Sequence, residues 1–185
     1  WYRANVIVAY ACSDATSGVA GCPSSDVVVQ EGSNVPSPAN SVSDVAGNIT
    51  AVNPLSINLD KTSPSVVATP TPAANAAGWH RSDVGVQFAC SDALSGLAGP
   101  CPSARTISQE GRNIPLNDSV GDLAGNFGGA SLSISLDKTA PLLSVNMPPA
   151  DIVLNASHDF ALNASDALSG IASQSCGAIN TGTLG

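Results

Sequence analysis

The sequence is poor in charged and in aromatic side chains. Of its 185 residues, 11% are charged and 4% aromatic, and six Lys and Arg stand against 14 Asp and Glu, a net charge of −8. Binding to nucleic acid or to an anionic membrane surface depends on clustered Lys and Arg, and the sequence contains no such cluster. We therefore expect no nucleic-acid partner.

Long apolar runs and helix-type patterns are missing as well. No run approaches the ~20 apolar residues of a membrane helix, so we expect no insertion into a membrane. The chain is instead rich in turn residues, with 17 Gly and 13 Pro, and between them Val, Ile and Leu alternate with other residues. This combination predicts an all-β chain. Disorder, the competing reading of such a composition, is disfavoured because the apolar alternation is regular.

An internal repeat of about 78 residues organises the sequence. Four blocks recur in the same order: 1–22 as 79–101, 30–32 as 109–111, 44–48 as 122–126, and 60–64 as 137–141. A third copy follows Pro141 and carries the Ser-Asp-Ala-Leu-Ser-Gly motif at 165–170. The prediction is one repeat without its first strand at 1–63, one complete repeat at 64–140, and the N-terminal half of a third, divergent repeat at 141–185.

Alternation within each repeat predicts which side chains face the core. The positions predicted to point inward are Val6, Val8, Tyr10 and Cys12, their equivalents Val84, Val86, Phe88 and Cys90, and the triplets Leu55, Ile57, Leu59 and Leu132, Ile134, Leu136. One-sided strands of this kind belong to antiparallel sheets that pack face to face. We predict six to seven strands per repeat, the number of an immunoglobulin-like β-sandwich.

The order of the motifs resembles a known family. A Trp, an alternating strand, Cys-Ser-Asp-x-x-Ser-Gly with a second Cys, Glu-Gly, Asp-x-Ala-Gly-Asn and Asp-Lys-Thr-x-Pro follow one another, as in the bacterial immunoglobulin-like repeats of large surface and secreted proteins. The resemblance covers essentially the whole chain. It implies tandem β-sandwiches, an extracellular or cell-surface location, and a role as a stalk, adhesin shaft or fibre subunit. The third copy departs from the pattern, with Val153 near the Trp position and Ala164 at the first Cys position.

Four of the five cysteines form two pairs, each within one repeat. Cys12 and Cys22 bracket one loop, and Cys90 and Cys101 bracket its equivalent, so we predict two intra-repeat disulfides and an oxidising compartment. Reduced, buried cysteines in a cytosolic protein are the alternative; a zinc site does not fit the spacing. Cys176 lacks a partner and is predicted to be a free thiol or to pair outside this sequence.

Recurrent aspartates are the candidate metal ligands. They are Asp14, Asp44 and Asp60, with the equivalents Asp92, Asp122 and Asp137. Carboxylate oxygens in loops at repeat junctions suit Ca²⁺, and related immunoglobulin-like adhesin repeats imply the same use. The alternative is structural: Asp beside Gly accepts backbone hydrogen bonds in Asx-turns. No other cofactor is predicted.

No catalytic residues are predicted, so we expect a protein that is not an enzyme. His80 and His158 align with Tyr2 and Val6 of the first repeat and have no recurring nucleophile or acid beside them. The incomplete first and third repeats predict neighbouring repeats, or identical subunits packed head-to-tail, that complete them by strand addition. The alternative function is an adhesive or carbohydrate-binding module, by itself or appended to an exoenzyme, with a surface glycan or a protein as ligand.

Overall fold

The structure, a computed structural model, describes residues 1–146 and 161–175. These residues form strands and turns without helix, which confirms the all-β class. The strands are β1 (Val6–Val8), β2 (Val19–Gly21), β3 (Asp26–Val28), β4 (Gly32–Pro36), β5 (Asn40–Asp44), β6 (Ile49–Val52), β7 (Ser56–Leu59), β8 (Ser65–Thr71), β9 (Trp79–His80), β10 (Val84–Ser91), β11 (Arg105–Ile107), β12 (Gly111–Gly121), β13 (Phe127–Leu136), β14 (Leu142–Asn146) and β15 (Ala161–Ser165). Seven strands lie in 1–63 and six in 64–140.

Small sheets of two or three strands make up the fold. In the first repeat the strand orders are β1-β3, β2-β5-β6 and β4-β7, and in the second they are β11-β10-β8 and β12-β13-β9. Strands β14 and β15 pair with each other. The pairs β1-β3, β2-β5, β5-β6, β4-β7, β10-β11 and β14-β15 are antiparallel, whereas β9 runs parallel to β13, with Trp79 opposite Ser135.

Proline lies at two points where the first repeat has a break between strands and the second repeat has none. β4 and β5 are separated by a segment that contains Pro38, and β6 and β7 by one that contains Pro54. Proline has no amide hydrogen and cannot donate to a strand ladder. The corresponding stretches of the second repeat have no proline at these points and form the long strands β12 and β13.

The buried side chains follow the predicted alternation with one exception. Val8, Val28, Ile57 and Leu59 form a buried cluster against which Val6, Tyr10 and Val35 pack. The buried apolar residues of the second repeat include Val84, Val86, Leu116, Ile134 and Leu136. The prediction for Leu55 was wrong: it follows Pro54, ahead of β7, and is 55% exposed.

The chain divides into two compact units. One unit comprises Trp1–Thr69, Gln87–Ala104 and Asn117–Ser131, and the other Pro70–Val86, Arg105–Leu116 and Leu132–Gly185, of which 147–160 and 176–185 are not described. The repeat boundaries at 63 and 140 stay a prediction from the sequence. Among the described residues, no helix has the length and apolar character needed to cross a membrane.

Candidate functional site

Both predicted disulfides are present. Cys12 bonds to Cys22 with their Cα atoms 5.8 Å apart, and Cys90 bonds to Cys101 at 5.6 Å. Each bridge closes a loop that carries an Asp-x-x-Ser-Gly motif, so the bridge holds the ends of that loop together. The prediction for Cys176 lies outside the described residues.

The Asp-x-x-Ser-Gly loops are Asx-turns in which one carboxylate oxygen gathers backbone amides. In the first repeat the amides of Thr16, Ser17 and Gly18 donate to Asp14 Oδ1 at 3.0, 2.7 and 2.8 Å. Gly18 has φ +80°, a left-handed conformation that suits glycine. Asp14 Oδ1 is therefore the acceptor of an Asx-turn, which is the structural alternative to metal binding that the sequence left open.

The Asp-x-Ala-Gly-Asn loops are built in a similar way. The Asn48 amide donates to Asp44 Oδ1 at 2.8 Å, and the Asn48 side chain donates to Asp44 Oδ2 at 2.7 Å. Asn126 makes the same two bonds to Asp122, each at 2.8 Å. Both oxygens of these aspartates thus accept hydrogen bonds inside their own loop.

The aspartate of the Asp-Lys-Thr motif bonds to the next repeat. Asp60 Oδ1 accepts the Thr62 amide at 3.0 Å, while its Oδ2 accepts the Ser95 amide, 35 residues onward, at 2.9 Å. Asp60 is fully buried. The sequence placed this aspartate at a junction, but it did not reveal that the serine of Asp-x-x-Ser-Gly is its partner.

The same arrangement recurs at the following junction. Asp137 Oδ1 accepts the Thr139 amide at 3.0 Å, and Asp137 Oδ2 accepts the Ser169 amide at 2.9 Å. Asp137 is 8% exposed. One pattern, an aspartate that precedes a Thr-x-Pro linker and captures a serine amide of the next repeat, is therefore used twice.

Asn126 and Gly128 complete the first junction. The Asn126 side chain donates to the carbonyl oxygens of Asp60 and Thr62, at 3.0 and 3.3 Å. Gly128 lies so close to Pro64 that a Cβ atom at Gly128 would overlap the Pro64 carbonyl oxygen. Glycine is thus required at this position by space rather than by its backbone angles.

A second set of contacts holds each Asp-Lys-Thr segment to its own repeat. The Lys61 amide and the Thr62 hydroxyl donate to Glu31, and Lys61 Nζ donates to the Val29 carbonyl at 2.8 Å and to Asn5 Oδ1 at 3.2 Å. The corresponding contacts of the second repeat join Lys138 and Thr139 to Glu110, Ser108 and Asp83. The recurrent Gln-Glu-Gly motif therefore supplies the anchor of the linker.

Hydrogen bonding shifts the pKa of the junction carboxylates. Burial acts to raise the pKa of Asp60, but Ser95 and the Thr62 amide outweigh burial and lower it. Ser169 lowers the pKa of Asp137, against a smaller opposing effect of burial. The Gly18, Thr16 and Ser17 amides lower the pKa of Asp14. These carboxylates are therefore ionised at neutral pH.

Three of the six predicted metal ligands come together. Asp60, Asp92 and Asp122 each present a carboxylate oxygen, and these three oxygens lie within 4.8 Å of one another. Asp60 and Asp122 are buried and Asp92 is half-buried. The other three predicted ligands, Asp14, Asp44 and Asp137, join no such group of three among residues 1–146 and 161–175.

A buried hydroxyl borders this carboxylate group. Ser95 is 6% exposed and lies beside the Asp60 carboxylate. Its Oγ nevertheless reaches no partner at hydrogen-bond geometry, so we assign the direct bond to the Ser95 amide alone. An oxygen buried without a partner is costly unless something unseen satisfies it.

No protein-family model, curated protein or solved structure matches this chain. Its class therefore rests on its own features: it is an all-β protein with two disulfides and a motif-based junction that occurs twice.

Proposed function

We propose that this chain is part of an extracellular structural protein, a stalk, shaft or fibre built from tandem immunoglobulin-like repeats. Its role is reach and stiffness rather than catalysis. The disulfides support an oxidising, extracellular location, because such bonds persist outside reducing compartments.

The recurring aspartate-to-serine bond at the repeat junctions is the observation that carries this proposal. Asp60 and Asp137 each bind the serine amide of the following repeat at 2.9 Å. A bond between a linker and the next repeat limits the freedom of that linker, and an Asp that is anchored by a local amide can do this at little entropic cost. A repeated restraint of this kind is what an extended, stiff array needs.

Electron microscopy of single molecules tests the role of the junction in stiffness. We expect the wild-type chain to show a narrow distribution of angles between repeats, and the Asp60→Ala and Asp137→Ala double variant to show a broad one. Asp14→Ala is the matched control, because Asp14 accepts the amides of its own Asx-turn and bonds to no linker in the part of the chain that the structure describes. Equal angle distributions for the wild type and the double variant would remove the basis of the proposal.

We further propose that the Asp60, Asp92 and Asp122 group binds Ca²⁺ and strengthens the first junction. The support is the convergence of three carboxylates within 4.8 Å, two of them buried, beside the unpartnered Ser95 hydroxyl. Carboxylate and hydroxyl oxygens are hard ligands of the kind that Ca²⁺ takes. A cation there would also offset the mutual repulsion of the three carboxylates.

Calorimetry with Ca²⁺ alone tests this second proposal. We expect one binding event, a rise of the melting temperature with Ca²⁺ and its reversal by a chelator, and loss of binding in Asp92→Asn. Asp14→Asn, which alters the equivalent loop of the first repeat, serves as the control and is expected to leave binding intact. A melting temperature that is indifferent to Ca²⁺ would return these residues to a purely hydrogen-bonding role.

A further inference from the structure

The first repeat carries the same two loops that receive a linker in the second repeat. Ser17 is the equivalent of Ser95, and Asn48 is the equivalent of Asn126. Between the two loops lies a cavity of about 310 Å³, lined in part by Asp14, Asp44 and Asn48. We call Asp14, Ser17, Asp44 and Asn48, with the cavity between them, the first-repeat socket.

The hydrogen bonds of the socket differ from those of its counterpart in the acceptor of the serine amide. The Ser17 amide donates to Asp14 at 2.7 Å, whereas the Ser95 amide donates to Asp60 and leaves Asp92 with the two flanking amides. The same two-plus-one division occurs in the third repeat, where Asp166 takes the Leu168 and Gly170 amides and Asp137 takes that of Ser169. Of these three loops, only that of the first repeat has no Asp-Lys-Thr segment bound to it, and its own aspartate accepts all three amides.

Asn48 and strand β1 each lack the partner that their counterparts have. The Asn48 side chain donates only to Asp44 among the described residues, whereas Asn126 also reaches the Asp60 and Thr62 carbonyls. Among the strands of the described residues, β1 pairs only with β3, but its counterpart β10 pairs with β11 and also with β8, the strand that follows Pro64. In the second repeat the equivalent donor and the equivalent strand edge are both bound by residues of the Asp-Lys-Thr-x-Pro segment and of β8.

We propose that the first-repeat socket binds an Asp-Lys-Thr-x-Pro segment, together with the strand after it, from a further repeat of this type. The Asp carboxylate takes the Ser17 amide from Asp14, the Asn48 side chain binds the linker carbonyls, and the strand pairs with β1. The two segments of this kind at 60–64 and 137–141 already bind Ser95 and Ser169, so a further repeat has to supply the occupant. This inference rests on the proposed array and specifies how its repeats recognise one another.

One residue of the socket departs from its counterpart. Thr50 stands where the second repeat has Gly128, the glycine that makes room for the Pro64 carbonyl. An incoming segment can therefore match the second junction at its Asp and Thr positions, but at its Pro position the backbone has to move away from Thr50. The bound strand is expected to be displaced there relative to β8.

A grafted segment tests the proposal. A second copy of residues 58–78 is fused ahead of Trp1, so that the grafted Asp precedes Trp1 by the same number of residues as Asp60 precedes Trp79. The tether keeps the segment at a high local concentration. In NMR hydrogen exchange we expect the β1 amides to exchange about tenfold more slowly, roughly the factor for a charge-assisted hydrogen bond, and the Ser17 amide shift to move toward that of Ser95.

The matched control is the same graft with its Asp changed to Ala, which is expected to leave the Ser17 amide shift and β1 exchange as in the original chain. Identical spectra for the two grafts would overturn the proposal, and so would an effect that appears only when Thr50→Gly is also present.

In the same sample, the amides of Ser95 and Ser169 report whether the two existing junctions are formed. If Asp60→Ala and Asp137→Ala leave those two amides unchanged, the proposed function itself fails, which is a separate result.

Discussion

The first and second repeats contain the same Asp-x-x-Ser-Gly loop but use its serine differently. Asp14 holds all three amides of its loop, whereas Asp92 holds two and releases that of Ser95 to Asp60. In both repeats the loop is held by its own aspartate and disulfide, but its serine amide is bound by Asp14 in the first repeat and by Asp60 in the second. Within the loop itself, the difference between the two repeats is therefore the acceptor of one serine amide.

A second difference concerns the space beside the linker. The second repeat has Gly128 directly under Pro64, and the first has Thr50 at the equivalent position. A side chain is tolerated where no linker passes and is excluded where one does. The junction thus constrains a residue that belongs to neither the aspartate loops nor the hydrophobic core.

Gly128→Ala is expected to have the largest effect on the second repeat. The added Cβ would overlap the Pro64 carbonyl oxygen, and both partners are backbone-fixed, so the linker or β13 has to move. Overpacking of this kind costs about 3 kcal/mol. Urea unfolding measures the loss of stability, and hydrogen exchange at Ser95 shows whether the junction opens.

Gly99→Ala is the control for Gly128→Ala. A Cβ at Gly99 would meet nothing within 4 Å, and Gly99 does not have a positive φ, so we expect no loss of stability. Thr50→Gly is the reciprocal change and is not expected to disturb the second junction. Equal stability of the Gly128→Ala and Gly99→Ala variants would contradict the close approach of the linker to Gly128.

Loss of a disulfide is the next largest expected effect. Replacing both Cys90 and Cys101 by Ser opens a loop with a sequence separation of 11, which the chain-entropy model values at roughly 2.7 kcal/mol. The same change at Cys12 and Cys22 is expected to cost a similar amount of intrinsic stability. Only the second pair holds the loop of Ser95, so its removal is expected to accelerate exchange of the Ser95 amide as well. Equal Ser95 exchange in both variants would contradict this coupling.

The sequence predicted the elements that depend on local pattern. Apolar alternation located the buried faces of β1, β10 and β13, and cysteine spacing located both bridges. It failed at Leu55, because alternation takes no account of the preceding proline, which interrupts the strand. Within the candidate site it identified the aspartates but left metal binding and Asx-turns as alternatives.

The partners of Asp60 could not be read from the sequence. The Ser95 amide is a backbone donor 35 residues away, and any residue except proline would offer the same group. The requirement for Gly128 is equally hidden, because it arises from the path of the linker and from no motif. The available signal was that Asp-Lys-Thr-x-Pro and Asp-x-x-Ser-Gly recur together.

Acid is expected to weaken the junctions before it affects the cores. The pKa values of Asp60 and Asp137 are lowered from 3.8, so the folded chain holds these protons less tightly than the unfolded chain. The stability that they contribute is fully present above pH 3.8 and is lost as the pH falls through the lower folded values. Amide exchange at Ser95 and Ser169, corrected for its intrinsic pH dependence, should therefore be constant near neutrality and rise only below that range.

Asp60→Asn sharpens the acid experiment, because it removes the titration at the first junction and leaves that of Asp137. We expect Ser95 exchange in this variant to lose its acid transition while Ser169 exchange keeps it. The second junction serves as the reference within the same sample, because it keeps its own aspartate. A transition at Ser95 that persists in Asp60→Asn would show that Asp60 is not the source of the acid sensitivity.

The smallest expected difference lies in the contacts of the two lysines. Lys138 Nζ pairs with Asp83 at 2.9 Å, with side-chain exposures of 38% and 53%, whereas Lys61 Nζ reaches the neutral Asn5 at 3.2 Å. An exposed ion pair is worth less than about 1 kcal/mol and weakens with salt. Lys138→Met is therefore expected to lower stability slightly at low salt and less at high salt, and Lys61→Met to show no such salt dependence. Asn5→Asp should confer that dependence on the first repeat, and its failure to do so in urea unfolding would show that the two lysines are not equivalent in their surroundings.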